Sequence, residues 1–183
     1  MSLSGLVPDQ TFVNDGGEFA DVTESTATGH LQKGHGVSFA DWDDDGDLDL
    51  FVVLGGGYPG DRGYNALFQN PGHAGHWLKL RLVGTRTNRS AIGARIRVDL
   101  KSPTGVARSV HRTIGNNGSF GGNSLVELIG LGDATLERVT VTWPTSKTTQ
   151  TFRDLKPDQS LEITEGTDAV KILPHKPLPQ PRR

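Results

Sequence analysis

Residues 41–50 read DWDDDGDLDL and hold six aspartates between Asp41 and Asp49. Two like charges ~6 Å apart repel by roughly 3 kcal/mol at an effective dielectric near 20. The chain has a formal net charge of only −2, so the acidity is local. Either this is a solvated acidic loop, or a cation holds it closed. The spacing favours a cation. Asp41, Asp43, Asp45 and Asp49 occupy every second position or nearly so, and Gly46 sits where a sharp turn is needed. Calcium takes about six to eight oxygens, and a main-chain carbonyl near the middle of such a loop, here Asp47, completes the shell. The expected cofactor is Ca2+, with Asp41, Asp43, Asp45, Asp47 and Asp49 as metal residues. Magnesium is disfavoured because it keeps its waters and is seldom caged by protein alone. An EF-hand is not expected: Val52 stands where that loop needs a bidentate glutamate, and no helical pattern flanks the run.

Other chemistry is sparse. With no cysteine there is no disulfide framework, thiolate zinc site or thiol nucleophile. His35 reads as a turn histidine and His111 as an exposed strand residue. His73 and His76 lie three apart with no further ligand nearby, so no zinc site is expected. The GNNGSFGGN stretch at 115–123 could cradle an anion with backbone amides. It lacks the strand–loop–helix setting of a phosphate loop and reads as a hairpin loop. There is no GxSxG elbow, and a glycosidase would need two carboxylates in a cleft, whereas the carboxylates cluster in one loop. Arg81, Arg95, Arg97, Arg108 and Arg112 fall on strand-like segments; they could form a cationic face for acidic glycans, although solvated strand arginines are the plainer reading. Clustered Lys/Arg of the kind that binds nucleic acid is missing, and no segment has the ~20 apolar residues of a membrane span. No catalytic constellation emerges, so the chain is not expected to be an enzyme.

The elements that must position the loop have a hydrophobic period of two. HWLKLRLVG alternates Leu78, Leu80 and Leu82 with Trp77, Lys79 and Arg81; IGARIRVDL alternates Ile96, Val98 and Leu100 with Arg95, Arg97 and Asp99; ERVTVTW sets Val139, Val141 and Trp143 against Thr140 and Thr142. Such alternation means half-buried strands, and turn residues punctuate it at near-regular intervals. The fold class is all-β. The aspartate run lies between the strand-like GVSFADW and LDLFVVL, so it should cap a hairpin. A composition change near residues 70–76 and the loss of alternation after Gly166 mark two boundaries, and the FADVTESTATGH segment opens a further part at Phe19, which makes four parts. These are an N-terminal extension (1–18), a calcium-binding repeat (19–75), a β-sandwich of about seven antiparallel strands (76–166), and a Pro-rich tail or linker (167–183).

Two resemblances add to this. FADVTESTATGH, GVSFADWDDDGDLDLFVVLGGG and NALFQNPG together resemble one FG-GAP or VCBS repeat, the blade unit of integrin α-like propellers. The resemblance implies a single blade-like antiparallel sheet carrying the calcium hairpin loop. Residues 88–166 resemble an ASPIC/UnbV domain through Asn88-Arg89, Gly93-Ala94-Arg95, Gly130-Leu131-Gly132, Trp143-Pro144 and the closing QSLEITE. The order of the two resembles bacterial ASPIC/UnbV proteins and cartilage acidic protein. That implies an exported protein, periplasmic, cell-surface or extracellular, whose export signal is expected to lie outside this sequence. The implied function is a non-catalytic, calcium-binding interaction or adhesion module that takes a protein or polysaccharide ligand. The alternatives are a domain of a carbohydrate-active enzyme with calcium orienting its site, and the purely structural end of a β-propeller. A lone blade cannot cover both of its faces. It is therefore expected to pack on the sandwich, on further blades, or on a second copy in a homodimer.

Overall fold

The computed structural model describes residues 9–30, 34–55, 60, 63–72, 75–115, 122–175 and 178. Thirteen strands follow one another and no helix occurs among the described residues, as the period of two requires. β1 (Phe12–Asp15) and β2 (Glu18–Asp21) form a small hairpin, which straddles the boundary expected at residue 18. β3 (Gly34–Ala40), β4 (Asp49–Leu54) and β5 (Ala66–Phe68) form a three-stranded antiparallel sheet in that order.

The remaining strands build a sandwich. β6 (His76–Val83), β9 (Glu127–Gly132), β12 (Gln159–Thr164) and β13 (Val170–Leu173) form one sheet, ordered β13-β12-β6-β9. β7 (Arg95–Lys101), β8 (Ala107–Thr113), β10 (Thr135–Thr142) and β11 (Thr149–Phe152) form the other, ordered β11-β10-β7-β8. Between them, Leu78, Leu80, Ile129, Leu161 and Ile163 meet Ile96, Val98, Leu100, Val139 and Val141, all at most 1% exposed. Full burial of each such side chain contributes roughly 1.5–3 kcal/mol. Trp143, fully buried at the end of β10, donates its indole N–H to Gln150 Oε1 at 2.5 Å. Pro144 follows immediately and cannot continue the ladder.

Two particulars differ from the expectation. β12 runs parallel to β6, Leu161 beside Leu80, so the sandwich is not wholly antiparallel. Alternation reports which face is covered; it carries no information on strand direction. The stretch after Gly166 is not only a linker, because Val170–Leu173 pairs antiparallel with β12. Pro174 follows this four-residue strand directly, where it costs no ladder bond.

The three-stranded sheet reaches the sandwich through its edge and its loop. Ser38 Oγ donates to the Gly122 carbonyl at 3.1 Å, and Phe39 N donates to Asn123 Oδ1 at 3.0 Å. Phe51 and Leu67, cross-strand neighbours on one face, stay 40% and 48% exposed.

Candidate metal centre

The aspartate run connects β3 to β4, with Ala40 opposite Asp49 at the mouth of the hairpin. Its shape comes from two residues in the left-handed region, Asp44 (φ 59°) and Gly46 (φ 98°). Side chains then tie the loop to itself. Asp41 accepts from the backbone N–H groups of Asp45 (3.0 Å) and Gly46 (3.1 Å). Asp45 accepts from Asp47 N at 3.0 Å, and Asp49 from Trp42 N at 3.1 Å.

This folding brings together carboxylate oxygens of Asp41, Asp43 and Asp49, all within 4.8 Å of one another. Asp43 and Asp49 are only 1% and 2% exposed. Two residues that sequence reasoning missed help to aim them. Gln69 Nε2 donates to Asp43 Oδ2 at 2.7 Å, and Asn70 N donates to Asp49 Oδ1 at 2.9 Å. Both follow β5 directly, so the third strand of the sheet carries the far wall of the site. Burial pushes the Asp49 carboxyl above its ordinary value against the two backbone hydrogen bonds, and the Asp43 and Asp41 charges add to the rise. Asp45 is raised as well, first by burial and then by the Asp43, Asp41 and Asp47 charges, with the Asp47 amide opposing.

Of the four aspartates expected to ligate by side chain, then, Asp41, Asp43 and Asp49 converge, whereas the Asp45 carboxylate turns back toward the Asp47 amide. Asp47 is expected to contribute its main-chain carbonyl, and its carboxylate lies close against Gly72. Three carboxylates at this separation repel pairwise by about 3–4 kcal/mol at an effective dielectric near 20. Hard anionic oxygens converging on one point form the donor set that suits calcium.

Part of the counter-charge is in the chain itself. Lys79, on β6 of the sandwich, places its ammonium 2.7 Å from Asp41 Oδ2 and in a short ion pair with Asp44 Oδ1. Burial of Lys79 lowers its pKa, and the hydrogen bonds to Asp41 and Asp44 more than offset this, leaving the pKa raised. Trp77, two residues earlier on the same strand, lays its indole against Gly46, and a Cβ there would collide with the ring. From the chain after β13, His175 packs on the Trp77 ring (centroids 4.9 Å apart), and Leu178 N donates to the Asp43 carbonyl at 2.6 Å. Nothing in the aspartate pattern announces these partners. They come from segments 30 or more residues away, and Lys79 alternates with leucines like any strand lysine.

The remaining candidates separate. His35 lies on β3 at the end away from the loop and is exposed. His76 pairs with Asp158 at 2.7 Å, while His73 and residues 116–121 of the GNNGSFGGN stretch lie outside the described residues. Asn88 closes a turn with Ile92, donating to its carbonyl and accepting from its amide, both at 2.9 Å. Sequence reasoning passed over Glu165, the last residue of QSLEITE. It is 3% exposed and accepts from the backbone amides of Thr85, Arg86 and Thr87 and from the hydroxyls of Thr87 and Ser146.

Comparison with known protein families bears on the sandwich. The model of the family described as ASPIC and UnbV matches residues 84–170. That stretch, a little under half of the chain, is similar to the ASPIC and UnbV family. The match opens at Gly84, directly after β6, and closes on the first residue of β13. It takes in Asn88, Gly93, Trp143 and Glu165, and it ends short of the aspartate loop. No curated protein matches the chain. Among the described residues, no helix is long and apolar enough to cross a membrane.

Proposed function

We propose that the chain is a non-catalytic, calcium-stabilised interaction module of an exported protein. In this reading an FG-GAP/VCBS-like repeat, residues 19–75, is docked on the ASPIC/UnbV domain. The observation that carries the reading is the convergence of Asp41, Asp43 and Asp49 within 4.8 Å at the mouth of one hairpin. Calcium there cancels the mutual repulsion of buried carboxylates and locks β3 to β4, so its binding free energy adds to that of folding. Asp41 is held to the sandwich through Lys79, and the Asp43 carbonyl to the segment after β13 through Leu178, so that the ion becomes a link between the two parts. The ASPIC/UnbV match supports an extracellular type of module.

The test is thermal unfolding of metal-stripped protein titrated with calcium and then with magnesium. Calcium at a hundred times its Kd stabilises by about 2.7 kcal/mol, which raises the midpoint by roughly 5–10 °C in a chain of this size. Magnesium is expected to do much less, and Asp43→Asn or Asp49→Asn to abolish the rise. An unchanged midpoint at millimolar calcium overturns the proposal.

Lys79 supplies a second test, since its ammonium competes with an incoming cation for Asp41. Lys79→Met is expected to lower the midpoint without calcium and to tighten calcium binding by about tenfold, or ~1.4 kcal/mol. Isothermal titration of both proteins measures this, and equal or weaker affinity in the variant contradicts the shared role of Asp41.

A further inference from the structure

The sheet β11-β10-β7-β8 turns one face to the core and the other to solvent. Along β7, Ile96, Val98 and Leu100 are buried, so Arg95, Arg97, Asp99 and Lys101 project from the outer face. Strand register sets Arg138 of β10 and Ser109 of β8 on either side of Asp99. Asp99 is 6% exposed and serves both arginines: Arg97 Nε donates to Oδ1 at 2.8 Å, and Arg138 Nε forms a short bond to Oδ2. Ser109 Oγ adds a third donor at 2.6 Å. One carboxylate therefore holds two guanidinium groups side by side by their Nε edges. The Arg97 and Arg138 side chains remain 49% and 38% exposed. Among the described residues, the terminal nitrogens of Arg138 meet no acceptor, and those of Arg97 meet only Ser109 Oγ, at 3.3 Å.

The charge on this face is one-sided. Asp99 is consumed by its two arginines, and Glu137, in the bulge of β10, is the only other acid on these four strands. On the opposite sheet the outer charges are matched, Arg81 and Lys171 both lying beside Glu162. Arg108 and Arg112 belong to the other side of β8, where they reach the Leu131 carbonyl and Glu127. The five strand arginines thus form no common face; Arg95 and Arg97 join Arg138 and Lys101 instead.

We propose that this outer face is a docking surface for a linear acidic polysaccharide lying along β7, with Arg97 and Arg138 as its anion-binding pair. Guanidinium groups bind carboxylate and sulfate in a two-pronged geometry, and Asp99 has already fixed their orientation, so little freedom is lost on binding. From Arg95 to Lys101 the cations span roughly 20 Å of extended strand, which suits a chain ligand. The outer positions of β10 and β11 are mainly threonines, whose hydroxyls can pair with sugar hydroxyls. The face has no Phe, Tyr or Trp on which bases could stack, and this disfavours single-stranded nucleic acid. The proposal rests on reading the chain as an interaction module and is independent of calcium.

The experiment measures affinity for heparin, hyaluronan, a single-stranded oligodeoxynucleotide and neutral dextran at several salt concentrations, each with calcium and with a chelator. The wild-type protein is expected to bind one or both acidic polysaccharides with an affinity that falls as salt rises, and not to bind dextran. Arg97→Gln is expected to weaken that binding about tenfold. Because Arg97→Gln also unbalances Asp99, Arg95→Ser/Lys101→Ser provides a second variant that leaves Asp99 untouched, and an effect of similar size is expected. Undiminished binding in the folded double variant, absence of binding to both polysaccharides, or tighter binding to the oligonucleotide overturns the assignment. A calcium-dependent midpoint without polysaccharide binding removes this proposal and leaves the calcium reading standing; polysaccharide binding without a calcium response does the reverse.

Discussion

Glu165→Ala is expected to lower the unfolding midpoint by about 10 °C. The carboxylate accepts from three successive backbone amides, Thr85, Arg86 and Thr87, at 2.7–2.8 Å, from Thr87 Oγ1 at 2.9 Å and from Ser146 Oγ at 2.5 Å. It thereby joins the end of β12 to the turn after β6, which crosses from one sheet to the other, and to the β10–β11 hairpin turn of the opposite sheet. Removing one acceptor leaves several buried donors unpaired, each costing about 1–3 kcal/mol less whatever water recovers. A net loss of roughly 3 kcal/mol follows, at ~2–4 °C per kcal/mol in a chain of this size. The same geometry gives a pH dependence. Burial alone would raise the Glu165 pKa, but the hydrogen bonds from Ser146 and the three amides outweigh it and hold the pKa at about 2, below the ordinary 4.5. A depressed carboxylate stabilises the fold fully above its unfolded value. That contribution fades as pH falls from about 4.5 toward 2. Chemical denaturation of wild type and Glu165→Gln at stepped pH measures it. The difference between the two should be large at neutral pH and shrink through this window, and a constant difference would falsify the assignment.

Gly46→Ala should be the most damaging single change in the aspartate loop. Its φ of 98° lies where residues with a Cβ are strained, and that Cβ would run into the Trp77 indole. The ring has little room to yield, since His175 packs on it and Lys79 of the same strand is tied to Asp41 and Asp44. A cost of about 3 kcal/mol is expected, with displacement of the loop from β6 and loss of any calcium response. Gly17→Ala separates the two causes, because Gly17 has a similar φ of 107° and nothing within 4 Å of a Cβ. If the Trp77 contact matters, Gly46→Ala must be clearly the worse of the pair and must alter tryptophan fluorescence. Equal costs would leave backbone strain as the whole explanation.

Local pattern made much of this molecule legible. Alternating leucines, isoleucines and valines determined that strands would form and which side of each would be covered, because period two is a property of the extended chain itself. The turn chemistry around residues 102–105 and 143–147 marked strand ends for the same reason. The aspartate spacing marked one hairpin tip as a candidate cation site, since neighbouring carboxylates on a tight loop must either repel or converge. Other features depended on partners distant in sequence. Strand direction did, as the parallel pairing of β6 with β12 illustrates; a short strand inside a proline-rich tail did as well, since Val170–Leu173 is a strand through its pairing with β12.

The sequence by itself therefore determined the all-β class and the acidic loop, both of which follow from the backbone and from charges close together along the chain. Tertiary structure alone decided which three of the aspartate side chains meet, that Lys79 and Trp77 clamp their loop onto the sandwich, and that Arg97 and Arg138 share Asp99. The trio is set by the loop's own hydrogen bonds together with Gln69 and Asn70 after β5, and the other two unite side chains carried on separate strands or loops. Such meetings are set by sheet order and register, which the alternation of a single strand does not encode.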